Sequence, residues 1–217
     1  MSTALETGRA LLAQLKQVAS ANSLPLTIPV GQPVQALLRV IPSRAEHLNA
    51  NDLSLLSDWR NRYVKSFLTE FHAHPERTAN WLCQHVHHND GKILFMLESL
   101  DGQAWGHIGL AFIDWQSAYG EADAIVNGGG APRGMMKQGL QACLRWAKES
   151  LGLQTLGVRV RSDNPAVEFY KKVGFQEIKR VALAHEIDGE AINWFEDPSL
   201  SGDVPALVYM IYHEASA

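Results

Sequence analysis

The densest chemical signal in the chain is the run Asn127-Gly128-Gly129-Gly130-Ala131-Pro132-Arg133-Gly134, which feeds an apolar-periodic stretch from Met135. A helix N-terminus carries unpaired N–H groups and the positive end of the helix dipole, and small residues before it let an anion approach the backbone. The run therefore has the design of a phosphate site, with Arg133 as an added cation; a plain strand-to-helix connection is the competing reading. A second set of residues could move protons. Glu121 and Asp123 lie on a strand-like stretch, where a period of two puts both on one face and Ala122, Ala124 and Val126 on the other. His107 and Asp114 on the preceding stretch are weaker candidates. Tyr170 is offset from Phe169 and Val173, which lie four apart, so its ring reads as a core-rim residue whose hydroxyl can reach a cleft.

Other reactive side chains read as structural. His72, His74, His85, His87 and His88 lack the spacing of a zinc site and are expected at or near the surface, and no metal is expected. Cys83 and Cys143 fall in apolar helical patterns, as reduced buried thiols do.

Positioning these groups takes a definite series of elements. Residues 1–35 read as a helical extension and linker: Leu5, Leu11, Leu12, Leu15 and Val18 recur at helical spacing, then Pro25, Pro29, Gly31 and Pro33 break the pattern. The extension is expected to pack on the body; a dimer arm, giving a homodimer, or a lid is the sharper alternative. The body, 36–217, opens with a strand over Ala36–Ile41. Helices follow over Asn51–Phe67, capped by Asn51 or Asp52, and from Pro75 to His88. Strands are expected over Ile93–Leu97, Trp105–Trp115 and Tyr119–Val126, then a helix over Met135–Leu151 stopped by Gly152. A strand over Leu156–Val160, a helix opened by Asn164-Pro165 and closed by Gly174, and strands over Phe175–Ala184 and Ala206–Tyr212 complete the chain, with turns at Gly189 and over Pro198–Pro205. The sum is an α/β (α+β) domain with a mixed, mostly antiparallel sheet flanked by helices.

The segment Val158-Arg159-Val160-Arg161-Ser162-Asp163-Asn164-Pro165-Ala166-Val167-Glu168-Phe169-Tyr170-Lys171-Lys172-Val173-Gly174-Phe175 resembles the strand–helix–strand of the GNAT (Gcn5-related) N-acetyltransferase superfamily, through Asn164, Ala166, Phe169, Tyr170, Gly174 and Phe175. The resemblance extends more weakly over about residues 37–212. It implies an acetyl-CoA-dependent N-acetyltransferase that acts by direct attack in a ternary complex, with acetyl-CoA as cosubstrate and a small-molecule primary amine as acceptor. A non-catalytic acyl-CoA-binding or regulatory module of the same fold is the alternative. It further implies Tyr170 as the acid for the leaving thiolate and Glu121 as the general base. Main-chain groups of Ile125 and Val126 would serve the pantetheine arm, Gly130, Arg133, Gly134, Met135 and Met136 the pyrophosphate, and Asn164 the cofactor site. The family's phosphate pattern is Arg/Gln, two residues, Gly, one residue, then Gly or Ala. Ala131, Gly134 and Met136 stand at those positions, and only Gly134 matches.

Bulk properties narrow the partners. The 217 residues are 46% hydrophobic and 19% charged, with a net charge of -4, a composition of globular proteins with their own core. The absence of a strongly basic run speaks against nucleic acid, and no apolar run approaches the roughly 20 residues of a membrane span. With no signal-peptide pattern at the N-terminus, a cytoplasmic location is expected.

Overall fold

The computed structural model describes residues 3–19 and 26–214. In chain order its elements are α1 (Thr3–Val18), β1 (Thr27–Val30), β2 (Ala36–Val40), α2 (Ala50–Arg62), β3 (Thr69–Glu70), α3 (Pro75–Trp81), β4 (Ile93–Ser99), β5 (Ala104–Asp114), β6 (Tyr119–Asn127), α4 (Met135–Leu151), β7 (Thr155–Arg161), α5 (Ala166–Val173), β8 (Phe175–Asp188), β9 (Ala191–Glu196) and β10 (Ala206–Tyr212). Helix α3 runs on as a wider π-type turn over Leu82–His87. The strands form one sheet in the order β1-β2-β4-β5-β6-β7-β10-β8-β9-β3. Of these pairings only β6 with β7 is parallel. The expected mixed, mostly antiparallel sheet flanked by helices is what forms. No described helix is long and apolar enough to cross a membrane.

Alternation along β4 shows how the layers arise. Ile93, Phe95 and Leu97 point to one face, into a core shared with α1, α4 and α5. Leu94 and Met96 point to the other, against Ile41, Leu56, Trp59, Leu82 and Val86. With helices on both faces the strand can be apolar throughout. Helix α4 contributes a stripe of Leu140, Cys143, Leu144, Ala147 and Leu151, all fully buried. Each large aliphatic so buried is worth about 1.5–3 kcal/mol. Gly152 then ends the helix at φ +76°, where a side chain would be strained.

The N-terminal residues belong to this core. Leu5, Leu12 and Leu15 join the same cluster as α4, and a Cβ on Gly8 would lie 2.3 Å from the Leu151 carbonyl. Lys16 is buried, and its Nζ donates to the carbonyls of Val86 (3.1 Å), His87 (3.1 Å) and Asn89 (2.5 Å), closing the end of the π-type turn. The expected linker is in part a strand: β1 pairs antiparallel with β2. Pro29 is tolerated there because β1 is the sheet's edge. Gly31 and Pro33 make the hairpin turn, and Pro25 lies outside the described residues.

Other boundaries shift for local reasons. The cap of α2 is Asn49, whose Oδ1 accepts from the N–H groups of Asn51 (2.9 Å) and Asp52 (3.2 Å), rather than Asn51 or Asp52. The helix stops at Arg62 and gives way to a 3₁₀ turn over Val64–Ser66, short of the expected Phe67. Strands β3 and β9 are additions; β9 lies within the region expected to hold only turns.

Candidate active site

A wedge opens where two strands part. β6 and β7 pair in parallel only from Tyr119–Ala122 against Thr155–Val158. Just beyond that point β6 also leaves its register with β5. Gly109 faces Asp123 and His107 faces Val126, so β6 spends one residue more than β5. Ala124 takes φ +49° in this bulge. Bulges free backbone groups from the ladder and re-aim side chains. The wedge holds a cavity of about 980 Å³ walled by residues of α2, α3, β5, β6, β7 and α5, the size range of small-molecule sites.

The bulge decides which groups face the cavity. Because alternation fails at Ala124, Ala122, Asp123, Ala124, Ile125 and Val126 all line it. Asp123, expected on a solvated face, is a wall residue whose Oδ2 accepts from Lys92 Nζ at 2.8 Å. Glu121, the expected base, does not line the cavity. Its Oε1 accepts from the Tyr119 hydroxyl (2.8 Å) and its Oε2 from Arg159 Nε (2.7 Å), and the residue is buried. Both oxygens are thus engaged one layer behind Arg159, which does face the cavity.

Tyr170 lies in the wall, and its surroundings hold its proton. The buried stripe of α5 is Val167, Tyr170 and Val173, with Phe169 at its edge, so Tyr170 sits deeper than a rim position. Burial first, then the charge of Asp123, pushes the phenol well above its ordinary range. His107 also lines the cavity, stacked on Trp59 with ring centroids 6.0 Å apart. Burial lowers it to about 4, so it is neutral near pH 7, and its Nδ1 has no partner among the described residues. Asp114 is spent on the β5–β6 turn, accepting from Gln116 N–H and Ser117 Oγ, outside the cavity. Of the clustered histidines only His85 reaches the cavity. His74 instead caps α3 by accepting from Arg77 N–H at 3.3 Å. Burial pushes the Cys143 thiol up to about 12, which leaves it inert.

Asn127 lines the cavity, and the glycine run follows it directly in the chain. Helix α4 begins at Gly134, φ +88°, and no side chain caps it. Among its first N–H groups Met135 bonds to the Pro132 carbonyl at 3.0 Å. The side chains of Met135 and Met136 are buried in the core, so only their backbones can meet a ligand. Helix α2 pins the run: Arg62 Nη1 donates to the Gly128 carbonyl at 2.7 Å. A Cβ on Gly128 would lie 2.2 Å from the Trp59 indole. Trp105 Nε1, a buried donor without a partner among the described residues, belongs to the ring whose Cδ1 is 3.7 Å from a Cβ built on Gly130. Arg133 is exposed. These features fit a phosphate-bearing ligand: an uncapped helix start, a close-approach loop and a spare donor. Ile125, Val126, Asn164 and Tyr170 line the cavity, while Gly130, Arg133, Gly134, Met135 and Met136 form the run and helix start beyond it. Asn164 ties the elements together. Its Oδ1 accepts from Ala166 N–H (2.9 Å) and its Nδ2 donates to the Ser66 carbonyl (3.3 Å).

Several wall residues were not singled out from sequence: Arg60, Arg77, Phe71, Lys92, Arg159 and Arg161. Arg159 and Arg161 alternate with Val158 and Val160 along β7, a period-two signal that could have placed both on one face. Arg60 and Arg77 sit on different helices and carry no such signal.

Two parallel strands of a mixed sheet part over a cavity, and β6 runs on into a glycine-rich, uncapped helix start. Residues 37–176 match the acetyltransferase (GNAT) domain family, and the chain belongs to that family of acetyltransferases. No curated protein sequence matches the chain. Among solved structures it is similar to the spermidine N-acetyltransferase of Vibrio cholerae in complex with CoA and spermine, at 19% identity and TM-score 0.62, covering 82% of this chain and 94% of that one. It is also similar to a probable GNAT acetyltransferase of Chromobacterium violaceum, at 15% identity and TM-score 0.65, with 89% of each chain covered. A third is RimL, a ribosomal L7/L12 alpha-N-protein acetyltransferase in complex with coenzyme A, at 13% identity and TM-score 0.64, covering 86% of this chain and 97% of that one.

Proposed function

We propose that this acetyltransferase uses acetyl-CoA to acetylate the primary amine of a small molecule, by direct attack within a ternary complex. One observation carries the reading: a single cavity joins Tyr170 and Asp123 and is lined as far as Asn127, the residue from which the chain enters the glycine run and the uncapped start of α4. Bound acetyl-CoA would supply an acetyl group already activated as a thioester, so the protein's task is to position it and move protons. Gly130, Arg133, Gly134 and the first-turn N–H of Met136 hold the phosphates, while the Met135 N–H, bonded to the Pro132 carbonyl, shapes the helix start. Main-chain groups of the bulge at Ala124–Val126 hold the arm and offer an N–H to the thioester oxygen. Asn164 fixes the start of α5 and thereby the place of Tyr170.

Tyr170 is the acid that returns a proton to the departing sulfur. Its raised pKa keeps the phenol protonated, as a donor must be. Asp123 takes the base role that the sequence reading gave to Glu121. It faces the cavity, Lys92 holds only its Oδ2, and it can accept the amine's proton directly or through water. Glu121 acts through Arg159, which it anchors. In the similar structures a polyamine and a protein N-terminus are the named acceptors; both are amines, consistent with amine chemistry here.

The test is release of free thiol from acetyl-CoA with equimolar N-acetyl product across a panel of primary amines. Saturable turnover in both substrates upholds the proposal. Tight coenzyme A binding without thiol release from any amine would replace it with a non-catalytic acyl-CoA-binding module, a reading that the mismatches at Ala131 and Met136 favour.

A further inference from the structure

The charge lining the cavity is lopsided. Arg60, Arg77, Lys92, Arg159 and Arg161 face it, against the single carboxylate of Asp123. Three of these cations are neutralised. Lys92 pairs with Asp123, Arg159 with Glu121, and Arg161 with both Glu70 and Asp163. Arg60 and Arg77 have no ion pair with a carboxylate among the described residues, yet they share one aromatic ring. The Arg77 guanidinium lies 3.6 Å from the Phe71 centroid, and that of Arg60 4.2 Å from it and 4.0 Å from Phe67. Each cation gains from the ring faces, but two like charges so close repel. Burial, and next the charge of Arg77, lowers Arg60 to about 10. Arg60 Nη2 donates to the Thr69 carbonyl at 2.6 Å, while its Nε is buried with no partner among the described residues. A buried donor left open beside two unneutralised guanidiniums is what an oxyanion resolves, by accepting from both.

We propose that the acetyl acceptor is an amine carrying its own carboxylate or phosphorus oxyanion, which Arg60 and Arg77 grip beside Phe71. The inference rests on the acetyl-transfer reading above and names its substrate class. Arg60 and Arg77 line the same cavity as Asp123 and Tyr170, so a compact molecule that carries both amine and oxyanion, such as an amino acid or an aminoalkyl phosphonate, can meet both sets of groups. Phe67, Phe71 and Trp81 offer apolar walls to the remainder of such a molecule. A polyamine fits poorly, because its further ammonium groups would meet the two arginines.

Matched acceptors test this on the full chain. Amino acids are compared with their carboxamides, an aminoalkyl phosphonate with the corresponding amino alcohol, and spermidine serves as the polycation. Thiol release from acetyl-CoA is measured for the wild type, Arg60→Gln and Arg77→Gln. Arg77 is exposed, so its variant carries the test even where Arg60→Gln folds poorly. The expected result is a kcat/KM at least tenfold higher for the anionic member of one pair, falling toward parity in the variants. The preferred pair tells carboxylate from phosphonate. Equal or better use of carboxamides or spermidine, or a preference that survives Arg77→Gln, overturns the oxyanion site while leaving acetyl transfer standing. If no amine releases thiol, thermal shifts with coenzyme A present decide. Stabilisation by the acids alone, lost in Arg77→Gln, upholds the oxyanion site although the transfer reading has failed. No acid-specific stabilisation overturns it.

Discussion

Tyr170 and Asp123 face one cavity, where burial and then the charge of Asp123 hold the proton on Tyr170. The buried phenol near a carboxylate charge stays protonated, so it should contribute no loss of turnover below about pH 10. Replacing Asp123 with Asn is expected to lower kcat by about 10²-fold at pH 7, the usual worth of a positioned base. The defect should shrink as pH rises toward the amine's own pKa, because more amine then arrives already deprotonated. A kcat profile over pH 6.5–9.5 checks this; a defect that is constant or grows with pH would remove Asp123 from that role. Tyr170 was legible in the sequence only through its neighbours from Asn164 to Phe175, since alone it reads as a rim aromatic. The choice between Glu121 and Asp123 was not legible. Strict alternation predicts one face for both, and the bulge at Ala124 breaks that alternation. Nor were Arg60 and Arg77, which meet only because the fold brings two helices over Phe71.

At the scale of elements, the phosphate run depends on α2 as much as on α4. Trp59 occupies the space beside Gly128, and Arg62 holds the Gly128 carbonyl. Gly128→Ala should therefore force the run or α2 to move. The expected cost is about 1–3 kcal/mol of stability and a coenzyme A affinity at least tenfold weaker, read by denaturant melts and calorimetry. A variant with unchanged melt and affinity would show that the run is not held against Trp59. Helix α4 is found over the residues expected, because its apolar stripe is regular and glycines flank both ends. Strand β10 agrees equally well, through its run of apolar residues. Strand β9 escaped notice because none of its residues is buried; it forms by pairing with β8 rather than by filling the core. β1 escaped because its prolines mark a break in most settings and are tolerated only at a sheet edge.

For the whole molecule, the N-terminal residues are structural. Leu12 is fully buried in the core it shares with α4. Leu12→Ala should cost about 2–5 kcal/mol, with one cooperative unfolding transition retained. A loss under 0.5 kcal/mol, within the range of surface substitutions, would mean that α1 is not integral to the core. The net charge of -4 gave no hint of a cavity wall dominated by cations. Most of the acidic groups that balance those cations sit one layer back, as Glu121, Glu70 and Asp163 do.

The central claim is that the wedge between β6 and β7 performs acetyl transfer with Tyr170 as the acid. Its most direct test is Tyr170→Phe, which removes one oxygen and keeps the ring packed against Phe175. Thiol release and coenzyme A affinity should be measured on the same preparation. The account predicts a kcat about 10²-fold lower with the dissociation constant for coenzyme A within about twofold of the wild type. Full turnover in Tyr170→Phe would contradict it.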